Sequence, residues 1–279
     1  MRTPEPAKAC SEPNEPLAIG LFAAGSVGLE IARFMRESAA PPACLVVDTR
    51  GDAALNARII EAAGLSDPHA VFRSDRLVSS ELLSQLQARR LDLILLAWWP
   101  YLVREPLLSM PRLGCLNFHP SYLPYNRGKH PNFWALIDET PFGVTLHFAD
   151  EGVDTGDIAF QSRLETSWED TGETLYRRAQ EEIVRLFREV FPQIRQGEIP
   201  RVPQEPADGS FHRARELDPA SEIHLERPCR ARELLNVLRA RTFPGHPGAW
   251  FVENGQRFEV RVEIRRVGMA PEPEEIEGP

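Results

Sequence analysis

LAIGLFAAGSVGLEIARFM, residues 17–35, opens as an apolar run, breaks at small residues around Gly25, and resumes with apolar side chains at Val27, Ile31 and Phe34. A short continuous apolar run reads as a buried strand, here 17–23, and the three-to-four spacing that follows reads as one face of a helix. The chain therefore begins as a βα unit. Gly20, Gly25 and Gly28, with Asp48 twenty residues after Gly28, invite a dinucleotide-binding reading. GLFAAGSVG lacks the GxGxxG spacing that brings a pyrophosphate against the helix N-terminus, so the segment reads as a tight turn whose helix N–H groups can touch phosphate.

The same pattern recurs downstream. ACLVVD ends a second strand at Asp48, and LDLILLA (91–97) is the unbroken apolar run of a strand covered on both faces, which implies a mostly parallel sheet. LGCLNFH predicts a further strand ending at Asn117 to His119, at the carboxyl edge where open α/β sheets bind ligands. PFGVTLHF (141–148) alternates Phe142, Val144, Leu146 and Phe148 with Gly, Thr and His, and so reads as a strand with two different faces. Asp170 with Glu173 predicts a capping box for a long helix striped by Leu175, Ala179, Ile183, Leu186, Val190 and Ile194.

GEIPRVPQEPADG (197–209) has the proline, glycine and charge of a linker. It divides a large α/β domain, 17–205, from a small mixed α+β domain, 206–268. In the latter, Ala231, Leu234, Leu235 and Leu238 share a helix face, and a hairpin turns at Asn254-Gly255 with Phe258, Val260, Val262 and Ile264 alternating inward. Its strand edges and apolar residues suit a homodimer interface. The Pro- and Glu-rich ends, 1–16 and 269–279, are expected to be mobile tails.

Composition narrows the function. No stretch approaches a membrane span, and MRTPEPAKAC lacks the apolar core of a signal peptide, so a soluble cytoplasmic protein is expected. Cys10, Cys44, Cys115 and Cys229 form no metal-like spacing and read as reduced packing residues. More than half of the net charge of −9 lies in the two ends, and the remaining acidic balance disfavours a nucleic-acid partner. Residues 209–266 nevertheless carry eleven arginines against eight acids, which can serve a nucleic acid, a nucleotide diphosphate or a solvated face.

NFHPSYLPYNRGKHPNFW (117–134) packs prolines, aromatics and proton-transfer groups behind a buried strand, and DEGVDTGDI (150–158) adds acids and glycines. Loops of that density are usually functional. Asn-x-His, the following RGKHPNFWA and the downstream GVTLHFADEGVDTGDI resemble the signature of the folate-dependent formyltransferases over about residues 90–165. The loop is most similar to that of the sugar-nucleotide members.

That resemblance implies a Rossmann-like domain, N10-formyltetrahydrofolate as co-substrate without a metal, and a nucleotide-linked amino sugar as acceptor. Methionyl-tRNA or another small amine is the alternative. It implies Asn117, His119 and Asp154 as the catalytic set: the amide and imidazole stabilise the oxyanion formed when an amine attacks the formyl carbon, and the carboxylate raises the imidazole pKa. It further implies a pterin between Tyr101, Leu102 and Val103 on one side and Asp150, Glu151, Gly152, Val153 and Asp154 on the other, with Lys129 touching cofactor or acceptor. Trp98 and Trp99 add apolar wall.

The plainer readings differ. Asn117 can be a strand-end turn former, His119 a satisfied buried histidine, and Asp154 a turn cap for Thr155 and Gly156. His119, His147 and Asp154 can in principle hold a metal, although no helical ligand spacing supports it. A folate-sensing module or a metal hydrolase stands as the alternative from another class.

Overall fold

The computed structural model describes residues 16–77, 79–205 and 209–268. Nearly all of both expected tails, Cys10 with them, lies outside the described residues, as do residues 206–208 beside the expected domain boundary.

The chain forms β1 (Ile19–Ala23), α1 (Gly25–Glu37), β2 (Cys44–Val47), α2 (Ala53–Ala63), β3 (Val71–Arg73), α3 (Ser80–Ala88), β4 (Leu93–Ala97) and β5 (Cys115–His119). There follow β6 (Arg127–Gly128), α4 (Pro131–Ile137), β7 (Phe142–Phe148), β8 (Ile158–Leu164), α5 (Gly172–Arg195), β9 (Phe211–His212), α6 (Ala231–Ala240), β10 (Ala249–Glu253) and β11 (Gln256–Val260). Seven strands make one sheet in the order β3-β2-β1-β4-β5-β7-β8. The first five run parallel, and β7 and β8 return antiparallel beside β5. This is the mostly parallel α/β architecture expected from the apolar runs, with β10 and β11 forming the separate C-terminal hairpin. Every residue of β1, β2 and β4 is buried, because helices cover both faces of the sheet's centre.

The long helix α5 lays its entire expected stripe into the core, with the Phe187 ring 5.3 Å from Phe118 and 5.9 Å from Phe34. Its cap differs from the expectation. Thr171, not Asp170, is the N-cap: its hydroxyl accepts from the Thr174 N–H at 3.2 Å, and the Thr174 hydroxyl accepts from the Thr171 N–H at 2.9 Å. Asp170 is instead held by Arg178 at 3.0 Å and by the Ser167 N–H at 2.7 Å, so the carboxylate fastens the approach to the helix.

Strand β7 has the two different faces expected of it, and both are covered, since all seven residues are buried. Its apolar side joins the core. Its polar side is covered by the loop after β5: the Thr145 hydroxyl donates to the Ser121 carbonyl at 2.7 Å and accepts from the Leu123 N–H at 3.2 Å. A polar face need not mean solvent when backbone groups satisfy it.

Burial pushes the thiols of Cys44 and Cys115 up to about 12, as inert packing residues require. The C-terminal expectations need correction. The hairpin turns at Asn254 and Gly255, both with positive φ, but Phe258 is 41% exposed and stacks on Phe251 rather than pointing inward. On α6, Ala231 and Leu235 are exposed while Asn236, Arg239 and Ala240 are buried. The polar atoms are drawn in by partners: Arg239 donates to the Ser167 carbonyl at 2.6 Å and to Asn236 at 3.0 Å.

Candidate active site

Strands β5 and β7 pair antiparallel with Asn117 opposite His147 and His119 opposite Thr145. Cross-strand partners project from the same face, so this register alone sets an amide against an imidazole. Asn117 Nδ2 lies 3.0 Å from His147 Nε2. His147 Nδ1 lies 2.9 Å from the Phe148 carbonyl, which can only accept, so Nδ1 carries the proton and Nε2 accepts from the Asn117 amide. The amide is thereby oriented with one N–H spent on His147 and its second N–H and carbonyl left over.

Asp154 arrives from the loop between β7 and β8, in a left-handed backbone conformation at φ 55°. One carboxylate oxygen lies 3.5 Å from His119 Nδ1 and 3.4 Å from His147 Nε2, and the other accepts the Gly128 N–H at 2.8 Å. Asn117, His119 and Asp154 are thus brought together as expected, with His147 as a fourth member. Burial by itself raises the Asp154 carboxyl, but the His119 and His147 rings and the Gly128 N–H outweigh it and hold the group well below the ordinary carboxylate range.

His119 is buried, and this changes the expected electrostatics. Burial, the larger influence, lowers its pKa, and the Asp154 carboxylate opposes it without prevailing. Its other nitrogen, Nε2, lies 3.4 Å from the Asn126 carbonyl, a long contact. A neutral ring has one proton for these two acceptors, so a second proton is favoured by both neighbours and resisted chiefly by the loss of water, with smaller opposition from His147 and Lys129. That is the balance a proton-transfer group needs.

The turn-capping role considered for Asp154 falls to Asp150, whose carboxylate accepts from the Gly152 N–H at 3.0 Å and the Thr155 hydroxyl at 2.7 Å. Among the described residues, no cluster of His, Cys, Asp and Glu is arranged to hold a metal ion.

The four residues stand at a cleft of about 530 Å³. Trp98 to Val103 line it on one side, and Ala149, Asp150, Gly152, Val153 and Asp154 on the other. Of the expected contacts, Glu151 alone is absent from the lining, being exposed beyond the turn that Asp150 caps. Tyr101 presents its ring but donates its hydroxyl to Asp48 at 2.6 Å, away from any ligand. Lys129 lines the cleft and is exposed. The size and the mixed apolar and polar walls suit a heteroaromatic ligand, and the buried Trp99 Nε1 has no partner among the described residues.

Among the lining groups that the sequence did not place at the site are His130, Tyr176 and the segment Phe211 to Ala214, and His147 entered only as a possible metal ligand. His147 could have been found from β7, where a histidine on the polar side of a fully buried strand must have a partner. The last segment enters because β9 pairs with β6, Arg127 opposite Phe211 and Gly128 opposite His212. His212 then stacks on Trp134 at 3.9 Å and reaches Asp138 at 3.1 Å.

Residues 34–191 match the family model described as formyl transferase. The chain belongs to that family. Within the formyl transferase family, residues 216–266 match a second model, the N-formyltransferase dimerization C-terminal domain. A methionyl-tRNA formyltransferase of Symbiobacterium thermophilum is 35% identical over 218 residues, 77% of this chain and 64% of that protein. One from Carboxydothermus hydrogenoformans is 33% identical over 183 residues, 65% of this chain and 58% of that protein. The chain therefore spans less than two thirds of the curated relatives it matches.

Among solved structures, a 4-N formyltransferase from Francisella tularensis superposes with a TM-score of 0.74 at 22% identity, over 90% of this chain and 99% of that one. The formyltransferase PseJ from Anoxybacillus kamchatkensis, in complex with UDP-4,6-dideoxy-4-formamido-L-AltNAc and tetrahydrofolate, gives a TM-score of 0.52 at 26% identity, over 72% of this chain and 88% of that one.

Proposed function

We propose that this protein transfers the formyl group of N10-formyltetrahydrofolate to the primary amine of a nucleotide-linked amino sugar. The observation that carries the reading is the linked set Asn117, His147, Asp154 and His119 at the cleft. In this reading the neutral amine attacks the formyl carbon, a C–N bond forms, and the carbonyl oxygen becomes an oxyanion. The second amide N–H of Asn117 donates to that oxygen. His119 exchanges its long Asn126 contact for the substrate, takes the proton leaving the amine and returns one to N10 as the old C–N bond breaks. Asp154 stabilises the imidazolium in between, and His147 orients Asn117. The segments at 98–103 and 149–154 hold the pterin.

The nucleotide-linked acceptor rests on the loop at 120–134 and on likeness to the Anoxybacillus enzyme, which was crystallised with a UDP-linked formamido sugar. Methionyl-tRNA formylation is the second reading, favoured by the names of the sequence relatives. The protein is read as a cytoplasmic homodimer joined through residues 216–266. No described helix is long and apolar enough to cross a membrane.

The test is to incubate the protein with N10-formyltetrahydrofolate and either a panel of nucleotide-linked amino sugars or methionyl-tRNA, following tetrahydrofolate release and acceptor mass. One formyl gained by a sugar nucleotide is expected. Formylation of the tRNA alone would replace the first reading by the second, and turnover of neither would refute both.

A further inference from the structure

Outside the catalytic set, one group of basic side chains is left without a structural purpose. Arg241 is 9% exposed, and its Nε is buried with no hydrogen-bond partner. Among the described residues no carboxylate lies within ion-pairing distance of its guanidinium. The nearby acids are engaged elsewhere: Asp218 with Arg257 at 2.9 Å, and Glu259 with Arg261 at 3.4 Å and the Gly248 N–H at 3.0 Å. Arg239, two residues earlier, makes the contrast, because its guanidinium donates to the Ser167 carbonyl and to Asn236 and lies over the Trp168 ring. A buried cation kept without a partner costs stability, so its retention asks for a ligand.

The backbone brings Arg241 beside the cleft. The Glu173 N–H donates to the Thr242 carbonyl at 3.3 Å, Gly172 lies against the Ala240 carbonyl, and Asn132 donates to the Gly172 carbonyl at 2.7 Å. The loop at 240–246 is thereby pinned to the first turns of α5 and α4, and α4 starts at His130 in the cleft wall. An aromatic track runs the same way. Trp98 and Tyr176, both lining the cleft, have centroids 5.6 Å apart; Tyr176 is 5.6 Å from Phe243; and Phe243 is 4.6 Å from His246. His130 makes no side-chain hydrogen bond among the described residues. After burial, the charges of Lys129, Arg241 and His246 bear on its ring and lower its pKa, which locates the positive potential at this end of the cleft.

We infer that Lys129, His130, Arg241 and His246 form an anion subsite that holds the phosphate groups of the acceptor, with the track from Trp98 to Phe243 carrying the chain of atoms between that subsite and the amine. This rests on the nucleotide-linked acceptor proposed above. It assigns the anchoring charge to Lys129 and His130 in the cleft wall together with Arg241 and His246, which stand outside the lining residues on the adjoining C-terminal loop.

The test is calorimetric titration of the full chain with UDP, dTDP and inorganic pyrophosphate, comparing wild type with Arg241→Gln and His246→Gln, and titrating folinic acid in parallel. Arg241→Gln is expected to weaken nucleoside diphosphate binding by about tenfold or more, as loss of a charge-assisted contact should, and His246→Gln by several fold. Folinic acid should bind all three proteins within about twofold. His246 lies on an exposed loop, so that variant keeps the test open if Arg241→Gln does not fold.

Nucleoside diphosphate affinities within twofold of wild type in the folded variants would overturn the subsite. So would a wild type that binds neither a nucleoside diphosphate nor pyrophosphate, and equal affinity for both would overturn the assignment to a nucleotide acceptor. If formyl transfer proves to go to another amine while diphosphate binding still depends on Arg241, the subsite stands and the acceptor reading fails.

Discussion

Replacing Asp154 by Asn keeps shape and removes charge. The Asn carbonyl can still accept the Gly128 N–H that now meets Asp154 at 2.8 Å, so the loop should hold its course. What disappears is the attraction between a carboxylate and an imidazolium at 3.5 Å. At an effective dielectric of about 20, that attraction is worth about 5 kcal/mol, or between three and four powers of ten in the imidazolium population. Part is recovered by the amide dipole and by penetrating water. The expected result is a fall in kcat of between about 100- and 1000-fold, with the donor KM changed by less than about threefold. Tetrahydrofolate release under saturating donor and acceptor measures the first, and a donor titration the second. A variant that folds and retains kcat within threefold of wild type would show that no imidazolium forms during the reaction, and the assigned role of Asp154 would be wrong.

Asn117→Ala should lower kcat by about 100- to 1000-fold, the usual cost of one oxyanion donor, with a smaller change in donor KM; a steady-state comparison decides it. In the wild type, kcat/KM should fall on the acid side at an apparent pKa below the ordinary histidine value of about 6.5, because burial lowers His119, and in Asp154→Asn that limb should move to still lower pH. The same shift makes a stability claim. His119 takes up its proton more readily when unfolded, so its contribution is present above pH of about 6.5 and is lost as pH falls below it, while that of Asp154 is lost only in the more acidic range below about 4. Chemical denaturation across pH checks both. Gly128→Ala puts a Cβ 2.2 Å from the His212 carbonyl at φ 93°, and should destabilise the protein by about 2 kcal/mol or more and depress turnover, as read by thermal unfolding and assay.

The sheet was legible because its strands are covered on both sides and so appear as unbroken apolar runs: residues 17–23, 91–97 and the strand ending at His119 each needed no partner to be recognised. The catalytic face was legible for a similar reason, since a strand edge fixes which side chains project together. His147 was harder to see. Its importance lies in the pairing of Asn117 with residue 147, and register between strands thirty residues apart is set by packing, not by local spacing. The cap of α5 went to Thr171 because a carboxylate one residue earlier found a stronger partner in Arg178, a competition that no local motif encodes. Phe258 alternates correctly in the sequence, yet alternation says only that two faces differ; which one is covered depends on what lies opposite. The charge state of His119 shows the same limit, because a neighbouring carboxylate can be guessed from a motif while the depth of burial cannot.

The short ladder between β6 and β9 bears on how this scaffold could be recombined. Its second strand comes from beyond the proline-rich stretch, yet it supports the very backbone whose Gly128 N–H grips Asp154. A chimera spliced at about residue 205, where composition suggests a seam, would give the first domain a foreign rail beneath its candidate site. A graft meant to exchange C-terminal halves while sparing the candidate site should therefore be cut after Ala214, leaving Phe211 and His212 with the parent that supplies Gly128 and Asp154.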